Sequence, residues 1–436
     1  MIRYLGLDLH KHLLVVCVLD AAGEVTARLR LEDLNGPALE FFCRRHLRPD
    51  DQVALEATTN CWAVVAVLRR HVSRVVVSNP LATKAIAQAK VKTDKVDAGV
   101  LAHLLRLGYL PEVWQPDAAC GRLREWTARR SRLVSQRTAI INRIRATLAM
   151  RLLDCPHEIG SARGRAWLAS VALDDDARWL IESDLRLLDA VAAELAAIDQ
   201  RLAQRGHEDP RVKLLMTLPG VSQHTAQSLL AAIGDVDRFR TDRGLASYLG
   251  LVPSTRQSAG RCYHGSITKA GRGHTRWMLV QAAQSVREHP GPLGHFFRRL
   301  KRKKNHNVAV VATAHKLAVL AWHVLKTGEP YRYAVPRTTE AKLAALRIAA
   351  TGQRRRGGVK QGTDPRTVHA AGRKGRTQRG LPEVCAVEGL PAPSDAPPGE
   401  RAHLEKVGLT AFAAGLTQPT IVPRSANRSE KTPSPS

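Results

Sequence analysis

Four carboxylates in this chain sit where an ionised acid is costly unless something compensates it: Asp8, Glu56, Asp94 and Asp97. Asp8 interrupts the apolar run Tyr4-Leu5-Gly6-Leu7-Asp8-Leu9, and Glu56 ends a second run, Val53-Ala54-Leu55-Glu56-Ala57. Asp94 and Asp97 are three residues apart at the start of a helical stretch, so they share one helix face. Burying a carboxylate costs several kcal/mol, on the order of the penalty for any buried ion, unless it is paired or binds a metal. Acids with few His or Cys neighbours suit a hard cation, Mg2+ or Mn2+. Two such ions roughly 4 Å apart form the usual clamp for phosphoryl transfer. The competing reading is structural. Asp8 would then be a strand-end acid in a salt bridge, and Asp94 and Asp97 would be first-turn acids favoured by the helix dipole, with Thr93 as the cap.

The elements that must position these acids alternate in the first 115 residues. Strands are expected at Arg3–His10, Leu13–Leu19, Val25–Leu31, Gln52–Ala57 and Ser73–Ser78, and helices at Gly36–His46, Trp62–His71, Leu81–Lys90 and Thr93–Leu107. Three strands joined by short turns, then alternating helices and strands, describe a mixed α/β sheet. An acid on the first strand, one on a later strand and a pair on a following helix is the ribonuclease-H-like layout.

From Ala118 to Gln204 the pattern is helical. Arg122, Arg124, Arg129, Arg130, Arg132, Arg137, Arg143 and Arg145 crowd its first part, either as a solvated helix surface or as a helix that tracks a phosphate backbone. Leu188, Val191, Leu195, Ile198 and Leu202 alternate by three and four, an a/d seam of about two heptads that either packs within the chain or joins two copies. A compact, mainly helical region follows between Arg211 and Tyr333. It opens on Leu218-Pro219-Gly220-Val221-Ser222, a helix-hairpin-helix-like turn in which Gly220 would let backbone N–H groups approach a phosphate. The stretch Gly250–Arg261 reads as a small, polar loop, and Lys269, Arg272 and Arg276 beyond it are candidate phosphate contacts. Ser254, Ser258 and Ser266 are alternative nucleophiles here, and residue chemistry alone does not choose among them. After Pro336 the composition shifts to Gly, Pro, Ser and Arg, which reads as a mostly disordered basic tail beyond about residue 350. The expected organisation is therefore residues 1–115, 116–205, 206–334 and a tail at 335–436.

Composition narrows the partner. With 67 Lys+Arg against 39 Asp+Glu, the formal net charge of +28 points to a polyanion, and nucleic acid is the commonest. The seven cysteines are scattered without a CxxC, which argues against a structural zinc site or disulfide framework and fits a reducing cytosol. The apolar run Leu13–Leu19 is too short for a membrane span, so a cytoplasmic protein with no membrane partner is expected.

Taken together, three segments, Gly6-Leu7-Asp8-Leu9-His10-Lys11, Leu55-Glu56-Ala57-Thr58 and Lys92-Thr93-Asp94-Lys95-Val96-Asp97-Ala98, resemble the N-terminal motifs of the DEDD transposases of the insertion sequence 110 family. Leu218-Pro219-Gly220, Tyr248–Pro253 and Ile267-Thr268-Lys269-Ala270-Gly271 resemble that family's C-terminal transposase domain, so the likeness runs in order over residues 1 to 333. It implies a RuvC-like domain joined through a coiled coil to a smaller helical domain. It further implies recombination of double-stranded donor and target DNA in homo-oligomers, with Asp8, Glu56, Asp94 and Asp97 holding the metal. The DNA would be chosen by a structured non-coding bridge RNA. The family's serine lies five residues after the Pro of its Leu-x-Pro segment, here Pro253 and hence Ser258, and would form a covalent phosphoserine; composite sites shared between protomers are part of the same expectation. Two positions depart from the pattern: Ala259 stands before Gly260 where a Gly usually follows the serine, and Thr59 replaces a usual Gly. Two alternatives are a hydrolytic RuvC-like junction endonuclease, with water as nucleophile, and a non-catalytic nucleic-acid-binding protein.

Overall fold

A computed structural model describes residues 2–86, 94–258, 260–353 and 376–422. The chain divides into two compact units, Met1–Pro116 and Asp117–Ser436. The first holds β1 (Tyr4–Leu9), β2 (Leu13–Leu19), β3 (Val25–Glu32), α1 (Gly36–His46), β4 (Gln52–Glu56), α2 (Cys61–Leu68), β5 (Arg74–Ser78), α3 (Pro80–Ile86) and α4 (Asp94–Leu107). The five strands form one mixed sheet in the order β3-β2-β1-β4-β5, antiparallel across β3, β2 and β1 and parallel across β1, β4 and β5. Leu5, Leu7 and Leu9 alternate onto one face, where they join Leu39 and Phe42 of α1 and Val64, Val65 and Leu68 of α2 in a core. The intervening Tyr4, Gly6 and Asp8 belong to the other face, which α4 covers.

Gly6 sets how closely α4 lies. A Cβ at Gly6 would stand 2.0 Å from the Ala98 carbonyl oxygen and 2.5 Å from the Ala102 nitrogen, so helix backbone rests almost directly on strand backbone. Ala98 and Ala102, both fully buried, keep the gap narrow from the helix side. Arg106, in the last turn of α4, reaches Gly23 in the turn between β2 and β3. The first turn of α4 therefore lies at the opposite end of the sheet, where β1 and β4 finish.

The second unit is helical with two short two-stranded sheets. Its elements are α5 (Ala118–Ala149), α6 (Ala162–Ser170), α7 (Asp175–Glu208), α8 (Pro210–Met216), α9 (Gln223–Ile233), α10 (Asp242–Tyr248), β6 (Pro253–Ser258), β7 (Arg261–Ile267), α11 (Gly273–Val286), α12 (Pro292–Lys303), α13 (His306–Thr327), α14 (Pro336–Thr351), β8 (Arg376–Gln378), α15 (Leu381–Val387), α16 (Pro398–Lys406), α17 (Thr410–Gly415) and β9 (Thr420–Val422). The continuous helix expected over 118–204 is broken twice: Leu152 takes a left-handed φ of 56° after α5, and Ser161 and Asp174 accept N-terminal amide hydrogens that start α6 and α7. The a/d seam is occupied within the chain. Leu188 packs with Ile140, Ile144 and Ile181, Val191 joins the same cluster, and Leu195 and Leu202 are buried. α5 and α7 run antiparallel, flanked by the ion pairs Arg143–Asp184 at 2.5 Å and Arg151–Asp174 at 2.5 Å.

Two other expectations change. The stretch Gly250–Arg261 is no simple loop, because Pro253–Ser258 is a strand paired with Arg261–Ile267. The tail is largely folded where it is described. Leu343 and Leu346 of α14, and Leu381, Val384, Cys385, Leu390, Leu404 and Leu416 beyond it, are buried in the same core as Leu215, Leu229 and Leu317. Arg347 pairs with Glu388, and Arg332 with Glu400, at the margin of that core. The reason is that a few apolar residues at helical spacing are enough to dock short helices, whatever the Gly, Pro and Arg around them. Residues 354–375 and 423–436 lie outside the described residues. Among the described residues α13 alone is long and apolar enough to cross a membrane, and its Ala314, Leu317, Ala318 and Ala321 are buried in that core.

The Leu218–Val221 turn is held from below by α14: the Lys342 Nζ donates to the Leu218 carbonyl at 2.8 Å and to the Val221 carbonyl at 3.2 Å. Burial pushes the Lys342 amine down to about 7. Between that value and the ordinary lysine range the unfolded chain holds a proton that the folded amine has released, so stability rises with pH across this window. Lys342→Met should flatten that rise in urea unfolding curves taken at pH 7 and pH 9.5. In the first unit, Gly6→Ala should lower stability by about 2 kcal/mol or more through overpacking against α4, read as an earlier urea midpoint.

Candidate functional sites: a carboxylate edge and a serine hairpin

Leu7 pairs with Leu55 across the parallel β1–β4 ladder. Asp8 and Glu56 are the next residue on each strand, neighbours across strands spaced about 4.8 Å apart. Both are partly buried and both belong to the face that α4 covers, since Gly6 and Ala54 two residues earlier pack against that helix. Asp97 directly precedes Ala98, the residue seated on Gly6, and Asp94 opens α4 one turn earlier. Strand register and helix direction thus bring the elements carrying all four acids to one end of the sheet. The side chain of Asp94 is outside the described residues. Among the described residues no three His, Cys, Asp or Glu side chains are grouped closely enough to form a ready-made metal cluster.

One neighbour was not singled out from the sequence. The His10 imidazole lies 3.1 Å from the Asp8 carboxylate through Nε2. The Asn60 side-chain amide donates to the His10 carbonyl at 3.1 Å, tying the residue after β1 to the start of α2. The signal was available, since residues two apart on extended chain project to the same side.

The serine candidates separate by geometry. In the β6–β7 hairpin Arg256 pairs with Tyr263 and Ser258 with Arg261, while Thr255 pairs with His264 and Gln257 with Cys262. Paired residues share a face and alternate residues switch, so Arg256, Ser258, Arg261 and Tyr263 lie on one face. The other face carries its own contacts, Thr255 Oγ1 to His264 Nδ1 at 3.0 Å and Cys262 Sγ to His264 Nε2 at 3.7 Å. The Ser254 hydroxyl is committed at the hairpin base, donating to the Ser266 carbonyl at 3.1 Å. Ser258 is exposed at the end of β6, beside the turn in which Gly260 adopts a φ of 80°. Arg256 and Arg261 escaped the sequence reading because an exposed polar hairpin has no apolar alternation to reveal its register.

The hairpin base explains the surrounding motif. A Cβ at Gly250 would meet the Ala270 backbone at 2.5 Å and one at Gly271 would meet the Tyr248 carbonyl at 2.1 Å, so the two glycine segments pack on each other. The Arg276 guanidinium donates to the Ala270 carbonyl at 2.8 Å and the Leu249 carbonyl at 3.2 Å, which makes it a brace of this base. Lys269, with a φ of 55°, and Arg272 are exposed beside it. Gly220 is required sterically, because at its φ of 72° a Cβ would stand 2.2 Å from the Ala282 carbonyl of α11. On α5, Arg129 pairs with Glu194 at 3.3 Å and Arg130 with Asp199 at 2.5 Å, contacts that account for both without a nucleic acid. Arg122 is exposed with no acidic partner among the described residues.

Comparison with known proteins finds two family profiles, one over each group of candidate residues. Residues 5–150 match a family profile described as a transposase of the DEDD type of IS110, and residues 212–297 match one described as "Transposase IS116/IS110/IS902 family". A "Probable family 20 transposase" of Pseudomonas aeruginosa is 28% identical over 349 residues, covering 75% of this chain and 98% of the relative. The transposase for insertion sequence element IS1111A of Coxiella burnetii is 29% identical over 217 residues, covering 47% of this chain and 58% of the relative. A pilin gene-inverting protein of Moraxella bovis is 27% identical over 296 residues, covering 64% of this chain and 80% of the relative. The first profile takes in Asp8, Glu56, Asp94 and Asp97, and the second takes in Gly220, Ser258, Lys269, Arg272 and Arg276. With both halves of the family pattern matched in order, the chain belongs to the IS110 family of transposases.

Proposed function

We propose that this transposase cleaves and rejoins double-stranded DNA by phosphoryl transfer, with Ser258 as nucleophile and Asp8, Glu56, Asp94 and Asp97 as ligands of Mg2+ or Mn2+. The observation that carries the reading is the convergence of β1, β4 and the first turn of α4 on one sheet end, each bringing an acid of the family motif. The strand order β3-β2-β1-β4-β5 supports a ribonuclease-H-like fold for the first unit. The donor set, all carboxylate oxygen, fits a hard cation such as Mg2+ or Mn2+. When bound, it would supply charge neutralisation at the scissile phosphate.

The chain's own residues then have defined tasks. Ser258 Oγ attacks phosphorus, loses its proton and displaces the deoxyribose oxygen of the cleaved strand, leaving a phosphoserine ester and a free hydroxyl terminus. Attack by another strand's hydroxyl reverses the exchange and frees the serine, so bond energy is conserved without an external source. Arg256 and Arg261, on the Ser258 face of the hairpin, are placed to hold the non-bridging oxygens, where a guanidinium stabilises the extra charge of the transition state. His10 orients the Asp8 carboxylate. The formal charge of +28 suits the DNA, and the family resemblance supports a structured bridge RNA as guide and assembly as a homo-oligomer.

Incubating the protein with donor and target DNA, guide RNA and Mg2+ should yield a covalent protein–DNA adduct that survives denaturing electrophoresis. Ser258→Ala should abolish it, whereas cleavage without an adduct would replace the serine reading by hydrolysis. Asp8→Ala should reduce cleavage at least a thousandfold, the order of a lost metal-site interaction, and chelation should do the same. Arg256→Ala and Arg261→Ala should each slow adduct formation on the order of a hundredfold in single-turnover kinetics.

A further inference from the structure

A second positive surface lies apart from the hairpin, on α12. Leu293, Phe297 and Leu300 form its inward stripe, the first two buried and the third packed against the same core. Its outward side carries Arg298, Arg299, Lys301, Arg302 and Lys303, with Lys304 following. His295, Arg298, Lys301 and Arg302 line an open recess of about 630 Å³. The sequence from His289 to Gly328 contains no Asp or Glu, and among the described residues none of these six cations has a carboxylate partner. On α5, by contrast, Arg129, Arg130 and Arg143 face Glu194, Asp199 and Asp184.

The repulsion has a local reading. His295 is held below the usual histidine range, first by partial burial and then by Arg298, Arg299, Arg302 and, from α16, His403. Arg298, Arg299 and Arg302 therefore crowd His295, and none of the three has a carboxylate partner among the described residues. Arg298 is braced for this, donating to the Arg287 carbonyl at 2.9 Å and the His289 carbonyl at 3.0 Å.

We propose that the outward face of α12 is a docking surface for the phosphate backbone of duplex DNA, centred on Arg298, Lys301 and Arg302. The proposal rests on the reading of this chain as a DNA-recombining enzyme and adds where the duplex is gripped outside the serine hairpin. Three observations select the occupant. The apolar stripe is buried in the core, so the helix has no face to insert into a lipid surface. Of the helix's two phenyl rings, Phe297 is buried in the core and Phe296 has Arg299 at 5.7 Å and Lys316 at 5.9 Å from its ring centre, so neither offers a bare platform for stacking unpaired bases. Arg298, Lys301 and Arg302, cations one helical turn or less apart and with no ring contact among the described residues, match a ladder of phosphates.

The test is fluorescence anisotropy of the full-length protein with a labelled duplex of unrelated sequence, over a series of salt concentrations. Lys301→Gln/Arg302→Gln should weaken binding on the order of tenfold and reduce the slope of log affinity against log salt by about two, one unit per lost phosphate contact. Arg302→Lys should retain most of the slope, since it keeps the charge. Both positions are exposed, and an unchanged thermal unfolding curve would show that the double variant is folded. Unchanged duplex affinity and slope would overturn the proposal, and so would a loss confined to structured RNA with duplex DNA unaffected. The adduct assay separates the two readings. If wild type forms no adduct yet the double variant loses duplex affinity, the serine mechanism fails and the α12 surface stands. If the adduct forms and the double variant binds duplex like wild type, the α12 surface alone fails.

Discussion

The near-contact of Gly6 with the backbone of Ala98 and Ala102 governs the first unit. Hydrogen bonds fix the spacing of β1 and β4, but nothing in the sheet itself places the third acidic segment. That is done by sterics: a strand position without a side chain and two alanines on the helix let α4 settle onto the sheet at one height and one offset. The offset matters because Asp97 is the residue immediately before Ala98, so a shift of the helix would carry its acid away from the end of β1. A glycine in a strand ordinarily weakens it. Here the loss is exchanged for the position of a charge.

The second unit solves a related problem differently. Ser258 stands at the end of an exposed two-stranded hairpin that has no core of its own, so its orientation is inherited from the base. There Gly250 and Gly271 allow two backbone segments to lie against each other, and Arg276 ties their carbonyls together. The Leu218–Val221 turn is fixed in the same fashion, by Gly220 packing under α11 and by the Lys342 amine bridging two of its carbonyls. In both places a motif that looks suited to phosphate contact also has a full structural explanation. The motif glycines therefore speak first about close backbone approach.

How much of this could be read from residues alone depended on burial. β2 and α1 span the residues expected from the sequence, Leu13–Leu19 and Gly36–His46. The carboxylate segments were legible because acids are conspicuous against apolar strands. The hairpin was not, since residues Pro253–Ser258 and most of Arg261–Ile267 are exposed and show no period of two. The arginines of α5 were counted correctly but their partners were not visible, because Glu194 and Asp199 lie more than sixty residues away along the chain. The C-terminal segment misled through composition: Leu381, Val384 and Cys385 are few among Gly, Pro and Arg, yet they close a core begun nearly two hundred residues earlier.

That late closure has a bearing on how the protein is made. The first unit has its whole sheet and α4 by Pro116, so it can fold while the rest is still being synthesised. The second unit's core includes Leu404 and Leu416, so its interior is not complete until these residues have emerged. A nascent or prematurely terminated chain would thus carry complete carboxylate strands attached to an unfinished, sticky partner. Such a product is a substrate for chaperones and proteases before it can become an enzyme, which would link transposase activity to full-length translation.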